Sequence, residues 1–340
     1  MRGWHAAATR VSYAAMSQSS VPARLRQNLR FDGLWWRKFA SLGCVYGPEW
    51  WKRYSPPVIA SIIFSLVGRN RRGAVANMER ILGRSGRGAT LAALQMFAQF
   101  AHCLTETMEY YGPRPRPINL DEPLRDDLAV ALREGHGAVV VTAHFGNWDI
   151  AAKTLHEYGR PINVVMAREV NASTHEYVRQ ARERVGVRVI YSDTSVFSSL
   201  NMIRALQRNE VVAIQLDRAL GAGGTRLVPF FGAPAPFPSG PFVLARLARA
   251  PLIPVFIPRL GTRHYAIRVC GRFQLAREAR DNRALDRVMA DVVRTFEAVV
   301  REFPYQWFQF APFWPDRSAV SRPAVDAAGE PPSERLRVRR

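Results

Sequence analysis

Lysine is almost missing from this chain. Of its 48 basic residues only Lys38, Lys52 and Lys153 are lysine; the rest are arginine. Cysteine is as sparse. Cys44, Cys103 and Cys270 lie far apart, with no CxxC pair and no Cys/His cluster. That excludes a disulfide framework and a structural zinc site, and a reduced compartment is the simpler reading. No apolar run reaches the roughly 18–20 residues of a spanning helix. The longest, 57–67, stops just before Arg69, Arg71 and Arg72. It reads either as a segment lying on a membrane and ending at anionic headgroups, or as a buried core helix. Residues 1–20 lack a continuous apolar stretch, so a secretory signal is not supported and a disordered leader is expected. No lysine follows Gly221, Gly223 and Gly224, which excludes a P-loop and leaves a flexible hairpin.

Acid is also scarce, with 28 Asp and Glu against those 48 bases and a net charge of +20. The excess favours anionic partners: a phospholipid surface, a nucleic acid or an acidic carrier protein. The arginines are scattered and no nucleic-acid motif stands out, so no nucleic-acid partner is expected.

The 340 residues divide by pattern. Residues 21–117 read as helical and aromatic-rich. Trp35, Trp36, Trp50, Trp51 and Tyr54 are interleaved with Arg37, Lys38, Lys52 and Arg53, a mixture suited to a membrane interface or to ordinary packing. A long helix is expected over 89–111, broken by the Gly-Pro-Arg-Pro run at 112–117. From 118 to 315 helix and strand alternate. Strands are expected at 138–143, 162–166, 187–191, 211–216, 225–229, 252–257 and 265–270. Helices are expected at 124–134, 149–158, 173–185, 198–208, 239–249 and 282–302. The early strands are unbroken apolar runs, as in a sheet covered on both faces. The fold class is therefore α/β, a central mostly parallel or mixed sheet flanked by helices, preceded by a helical segment suited to membrane association. Residues 316–340 turn to Arg, Ser, Pro, Glu and Ala, a disordered tail.

The site candidate is His144-Phe-Gly-Asn-Trp-Asp149, directly after the apolar run 138–143. An acid one short turn beyond a histidine can hold one imidazole nitrogen while the other faces a substrate hydroxyl, which suits a general base. Gly146 permits close backbone approach. A helix start after Asn147 would offer N–H groups, near Gly146–Trp148, to developing negative charge. No Ser or Cys stands beside the histidine, so no covalent nucleophile is suggested.

The spacing His144-x4-Asp149 resembles the first motif of the lysophospholipid/glycerolipid acyltransferase superfamily. The better match is its bacterial lipid A late acyltransferase branch, the lauroyl and myristoyl transferases, which also includes phosphatidylinositol mannoside acyltransferases. The likeness continues in order over roughly residues 60–315. It takes in Arg71-Arg-Gly-Ala-Val-Ala-Asn77, Arg168 and Glu169 after the second strand, and Ile214-Gln-Leu-Asp217-Arg218-Ala-Leu-Gly221. Further along come Val228-Pro-Phe-Phe-Gly232 with Pro238-Ser-Gly-Pro241, Leu252-Ile-Pro-Val-Phe256 and the aromatic Gln306-Trp-Phe-Gln-Phe-Ala-Pro-Phe-Trp314. Many members carry a second acid or Asn two residues after the position of Asp217; here that residue is Ala219.

The resemblance implies an acyltransferase fold and an O-acyl transfer from acyl carrier protein or coenzyme A to a hydroxyl of a lipid A precursor or related glycolipid. No further cofactor and no metal are implied. His144 would be the base and Asp149 its orienting acid. Arg168 would hold an acceptor phosphate, against a surface pair with Glu169. Asp217 and Arg218 would order the loop or contact the acceptor, against a turn-stabilising pair. Gly146 and Asn147 would lie at the substrate. Phe230, Phe231, Phe237 and Phe242 would line an acyl channel or form core. The expected location is the cytoplasmic face of a bacterial inner membrane, peripheral or monotopic. Alternatives are a lysophospholipid or ornithine-lipid acyltransferase, and a non-catalytic membrane- or nucleic-acid-binding protein.

Overall fold

The computed structural model describes residues 42–121, 127–150, 159–166, 187–192, 196–218, 224–275 and 282–315. Among the described residues, 42–46 are helical, and α1 Glu49–Leu66, α2 Gly68–Leu82 and α3 Arg87–Tyr110 follow. Alternating elements follow: β1 Asn119–Asp121, α4 Asp127–Arg133, β2 Ala138–Thr142, β3 Ile162–Met166, β4 Val187–Tyr191, α5 Val196–Gln207 and β5 Val211–Gln215. Next come β6 Thr225–Phe230, β7 Ala233–Pro238, α6 Gly240–Ala248, β8 Leu252–Phe256, β9 Arg259–Gly261, β10 His264–Ala266, β11 Arg268–Val269 and α7 Asn282–Glu302. A single 3-10 turn, Pro304–Gln306, leads into the aromatic segment.

The main sheet has the order β11-β8-β2-β5-β3-β4. Its inner pairs are parallel, and only the edge strand β11 runs antiparallel, against β8. Ala138, Val139, Val140 and Val141 of β2 are all buried, as are all five residues of β8. An apolar run without alternation is what two covered faces demand. α4 and α6 pack against β2, and α7 against β8. α7 presents Leu285, Met289, Val292, Phe296 and Val299 as one buried stripe at helical spacing.

The N-terminal helices share one hydrophobic cluster with the sheet, running from Ala60 to Phe313. The join is specific. Asn77 of α2, 1% exposed, donates through Nδ2 to the carbonyls of Gln309 and Ala311 at 2.8 Å each. Its Oδ1 accepts the Phe313 N–H at 3.0 Å. Gly73, one helical turn earlier, lets the chain pass so close that a Cβ there would lie 2.3 Å from the Phe310 carbonyl oxygen. The blocks around Asn77 and Trp307, far apart in sequence, thus form one physical unit.

α1 settles the choice posed by residues 57–67 only in half. Pro56, Ala60 and Phe64, four residues apart, are buried. The intervening Val58, Ile59, Ile62, Ile63 and Leu66 are exposed, as are Trp50, Trp51 and Tyr54 at the helix start. Among the described residues no helix is long and apolar enough to cross a membrane.

One expectation changes and one strand is added. The strand expected over 265–270 is two strands in different sheets. His264–Ala266 lies between β1 and β9, while Arg268–Val269 joins the main sheet. Only Ile267 separates them, so pattern alone merges them. The proline-rich stretch 233–238 is a strand, β7, paired with β6 across a turn in which Phe231 has φ 49° and Gly232 φ 73°. Two consecutive residues at positive φ suit the twist of a tight hairpin. Proline is tolerated because this two-stranded ribbon leaves each strand one unpaired edge.

Candidate active site

β2 and β5 lie side by side in parallel, with Thr142 opposite Gln215. Two residues beyond each stand His144 and Asp217, so equal offsets carry both side chains to the same carboxyl-terminal edge. In open parallel sheets that edge is where ligands bind. His144 Nδ1 lies 2.9 Å from Asp217 Oδ1, and the His144 backbone N–H donates to Oδ2 at 3.0 Å. The Trp307 indole N–H donates to the same Oδ2, also at 3.0 Å. The Asp217 side chain is fully buried, and that of His144 is 15% exposed.

Burial pushes the Asp217 carboxyl up. The charge and hydrogen bond of His144, the Trp307 N–H and the nearby Arg218 charge outweigh it, so the carboxyl is held below its ordinary value. An ionised carboxylate can only accept, so it selects the Nδ1–H tautomer and places the basic lone pair on Nε2. The Trp148 ring meets the imidazole edge-on with centroids 5.1 Å apart.

The hydrogen bond to Nδ1 expected of Asp149 is made by Asp217, the residue expected to order a loop or meet the acceptor. Asp149 sits in the turn after the histidine, and its carbonyl accepts the Tyr111 hydroxyl at 3.0 Å. The helix expected over 149–158 falls mostly outside the described residues, as do Arg168, the helix expected over 173–185 and Ala219. Arg218 is exposed and reaches the Phe308 carbonyl at 3.4 Å. Phe308 in turn donates its N–H to the His144 carbonyl at 2.7 Å.

Gly146 and Asn147 build the turn. Gly146 has φ 54°, and a Cβ there would fall 1.9 Å from the Ile257 carbonyl oxygen. Its N–H donates to Gln306 O at 2.8 Å, and the Asn147 N–H donates to Ile257 O at 2.9 Å. These two donors, expected to face developing negative charge, are spent on the protein. The Asn147 side chain is 2% exposed. Its Nδ2 donates to the Cys103 carbonyl at 3.2 Å and to the Tyr265 hydroxyl at 3.1 Å, and its Oδ1 accepts from Thr107 at 2.9 Å. Both residues expected at the substrate thus have scaffolding partners.

Phe230, Phe237 and Phe242 are buried at 0–1% exposure and Phe231 at 7%. Phe230 stacks on Phe296 and Trp314 and meets Trp307 edge-on. This aromatic cluster is core, and it clamps the tryptophan that holds Asp217. Trp307 is the site residue that sequence reasoning missed. Its block was recognised only as aromatic, and nothing in spacing links it to residue 217.

A partly buried histidine bonded to a buried aspartate, at the carboxyl edge of a mostly parallel, helix-flanked sheet, marks this α/β protein's candidate site. The chain belongs to the bacterial lipid A biosynthesis acyltransferase family, whose model matches residues 33–315. It is similar to the phosphatidylinositol mannoside acyltransferase of Mycolicibacterium smegmatis, 29% identical over 190 residues, covering 56% of this chain and 60% of that one. Its likeness to the phosphatidylinositol mannoside acyltransferase of Mycobacterium tuberculosis strain H37Rv is 29% over 192 residues, covering 56% and 58%. The match spans about three-fifths of the length of these relatives.

Proposed function

We propose that this protein is an O-acyltransferase that moves a fatty acyl chain from a thioester, on acyl carrier protein or coenzyme A, to a hydroxyl of a glycolipid. The observation that carries the reading is the Asp217–His144 pair, which leaves Nε2 basic. Nε2 takes the proton of the acceptor hydroxyl as its oxygen attacks the thioester carbonyl. The tetrahedral intermediate collapses, the C–S bond breaks, and the imidazolium returns the proton to the leaving thiolate. Asp217 stabilises the imidazolium throughout. Because the Gly146 and Asn147 N–H groups are engaged, a side-chain cation is the better candidate for the oxyanion, and Arg218 lies closest to the histidine's own backbone contacts. Arg168 is kept as the arginine for an acceptor phosphate.

The acceptor class follows from the family, described by lipid A biosynthesis, and from relatives named for a phosphatidylinositol mannoside. The location proposed is the cytoplasmic face of the inner membrane, peripheral or monotopic. The exposed apolar face of α1, followed by exposed Arg69 and Arg72, supports it.

The test is transfer of labelled acyl groups from acyl-ACP and acyl-CoA to a panel of lipid A precursor, phosphatidylinositol mannoside, lysophospholipid and ornithine lipid. Transfer to a glycolipid that His144→Ala abolishes is expected. Equal transfer by the variant overturns the base assignment, and transfer only to lysophospholipid or ornithine lipid overturns the acceptor. Flotation with anionic vesicles should exceed that with neutral ones and fall with salt. Equal flotation removes the electrostatic part.

A further inference from the structure

A cavity of about 450 Å³ opens between α1, α3 and the β9–β10 hairpin, within the range of small-molecule sites. Its wall is charged. Lys52 bonds Glu109 at 2.7 Å, Arg259 bonds Glu106 at 2.9 Å, and Arg263 bonds Glu109 at 2.8 Å and Glu49 at 2.8 Å. At the lip stand two aromatic rings, Trp50 and Tyr54, 63% and 60% exposed. His102 and Thr105 complete the inner side. Burial, with the Arg259 charge, pushes His102 down to about 4, so at neutral pH it offers one donor and one acceptor without charge.

This chemistry narrows the occupant. An acyl chain would strip water from charged groups and return no hydrogen bonds. A phosphate would meet three cations already committed to carboxylates, Lys52, Arg259 and Arg263, beside three acids that repel it; Arg53, the remaining lining cation, lies over the Tyr54 ring at the lip. A neutral ring dense in hydroxyls fits: paired ions and an uncharged imidazole supply both donors and acceptors, and the exposed ring faces supply the apolar contact.

We infer that this cavity binds a sugar or other polyhydroxyl ring of the acceptor headgroup. The inference rests on the acyltransferase reading and adds to it a subsite apart from the reacting hydroxyl. The same walls support the catalytic turn. Glu106 accepts the Tyr265 hydroxyl, which in turn accepts Asn147 Nδ2. The Arg259 N–H donates to the Gln306 side chain at 2.7 Å, and the Gln306 carbonyl holds Gly146. A headgroup seated here braces the turn that carries His144.

The full-length protein, without thioester, is mixed with methyl α-mannopyranoside and read by saturation-transfer NMR. Transfer to the sugar is expected, and its loss in both Trp50→Ala and His102→Ala, each checked for an unchanged melting temperature. No transfer to the parent, undiminished transfer to both variants, or displacement of the sugar by equimolar inorganic phosphate overturns the site. With acceptor glycolipid and thioester, each variant should raise the acceptor KM roughly tenfold, the loss falling on KM rather than kcat. An unchanged acceptor KM overturns the site while leaving the transferase reading intact. Sugar binding in a protein that transfers no acyl group overturns the transferase reading while leaving the site intact.

Discussion

The Trp307 indole N–H and the His144 backbone N–H converge on one oxygen of Asp217, each at 3.0 Å. Among the described residues the other oxygen bonds only the imidazole. The carboxylate is therefore held in orientation by the fold itself, in part by a tryptophan 90 residues further along the chain than Asp217.

Trp307→Phe keeps a ring in the core but removes the indole donor and part of the buried ring volume. Stability should fall by about 2–4 kcal/mol, from the lost hydrogen bond and the cavity together. With one donor fewer, Asp217 becomes more basic and holds the imidazolium more tightly. The acid limb of kcat/KM should move to higher pH. A pH–rate profile superimposable on the parent's would show that the indole only packs.

Asp217→Asn and Asp149→Asn separate the two acids. The amide at 217 no longer selects the Nδ1–H tautomer, and a loss of about 10³- to 10⁴-fold in kcat is expected. Asp149→Asn should cost less. Single-turnover transfer with saturating thioester measures both, and a larger loss at 149 would return the orienting role to that residue.

Acid stability should report the same carboxylate. Its folded value is lowered, so it contributes stability that is full above the ordinary carboxylate value, about 3.9, and is lost as pH falls below that toward the folded value. Urea titrations from neutral pH down to acid should show a shallower acid decline for Asp217→Asn than for the parent. Equal slopes would mean that other carboxylates carry the effect.

Gly146→Ala should cost about 3 kcal/mol or more, since positive φ and a 1.9 Å clash with a backbone oxygen act together. Thermal denaturation reads it directly. A melting point within a degree of the parent would mean that the turn rearranges.

Asn77→Ala removes the partner of the buried Gln309 carbonyl and of the buried Phe313 N–H, and of the more exposed Ala311 carbonyl, and about 2–3 kcal/mol is expected. Limited proteolysis should then cut first in the segment around 309–313. Cleavage elsewhere first would argue against the clamp.

Much of this was legible in the sequence because both-face burial writes itself as apolar runs, as at Ala138–Thr142 and Leu252–Phe256, and a one-sided helix as an apolar stripe, as at Asn282–Glu302. The site was half legible. His144 and Asp217 could each be picked out, but their pairing depends on β2 and β5 being neighbours, and strand order is not written in local pattern. Asp149 drew the orienting role because it is near in sequence. Asp217 holds that hydrogen bond because parallel register makes residues 73 apart adjacent. Trp307 was hidden for the same reason.

The Asn77 clamp also has a bearing on synthesis. Its partner at Phe313 lies 236 residues downstream, and Trp307 enters the site on that same segment. A ribosome that has translated the histidine, the aspartate and the whole main sheet has still not delivered the group that fixes the carboxylate. The carboxylate's hydrogen bonds are completed only when the aromatic segment emerges and locks against a helix made long before.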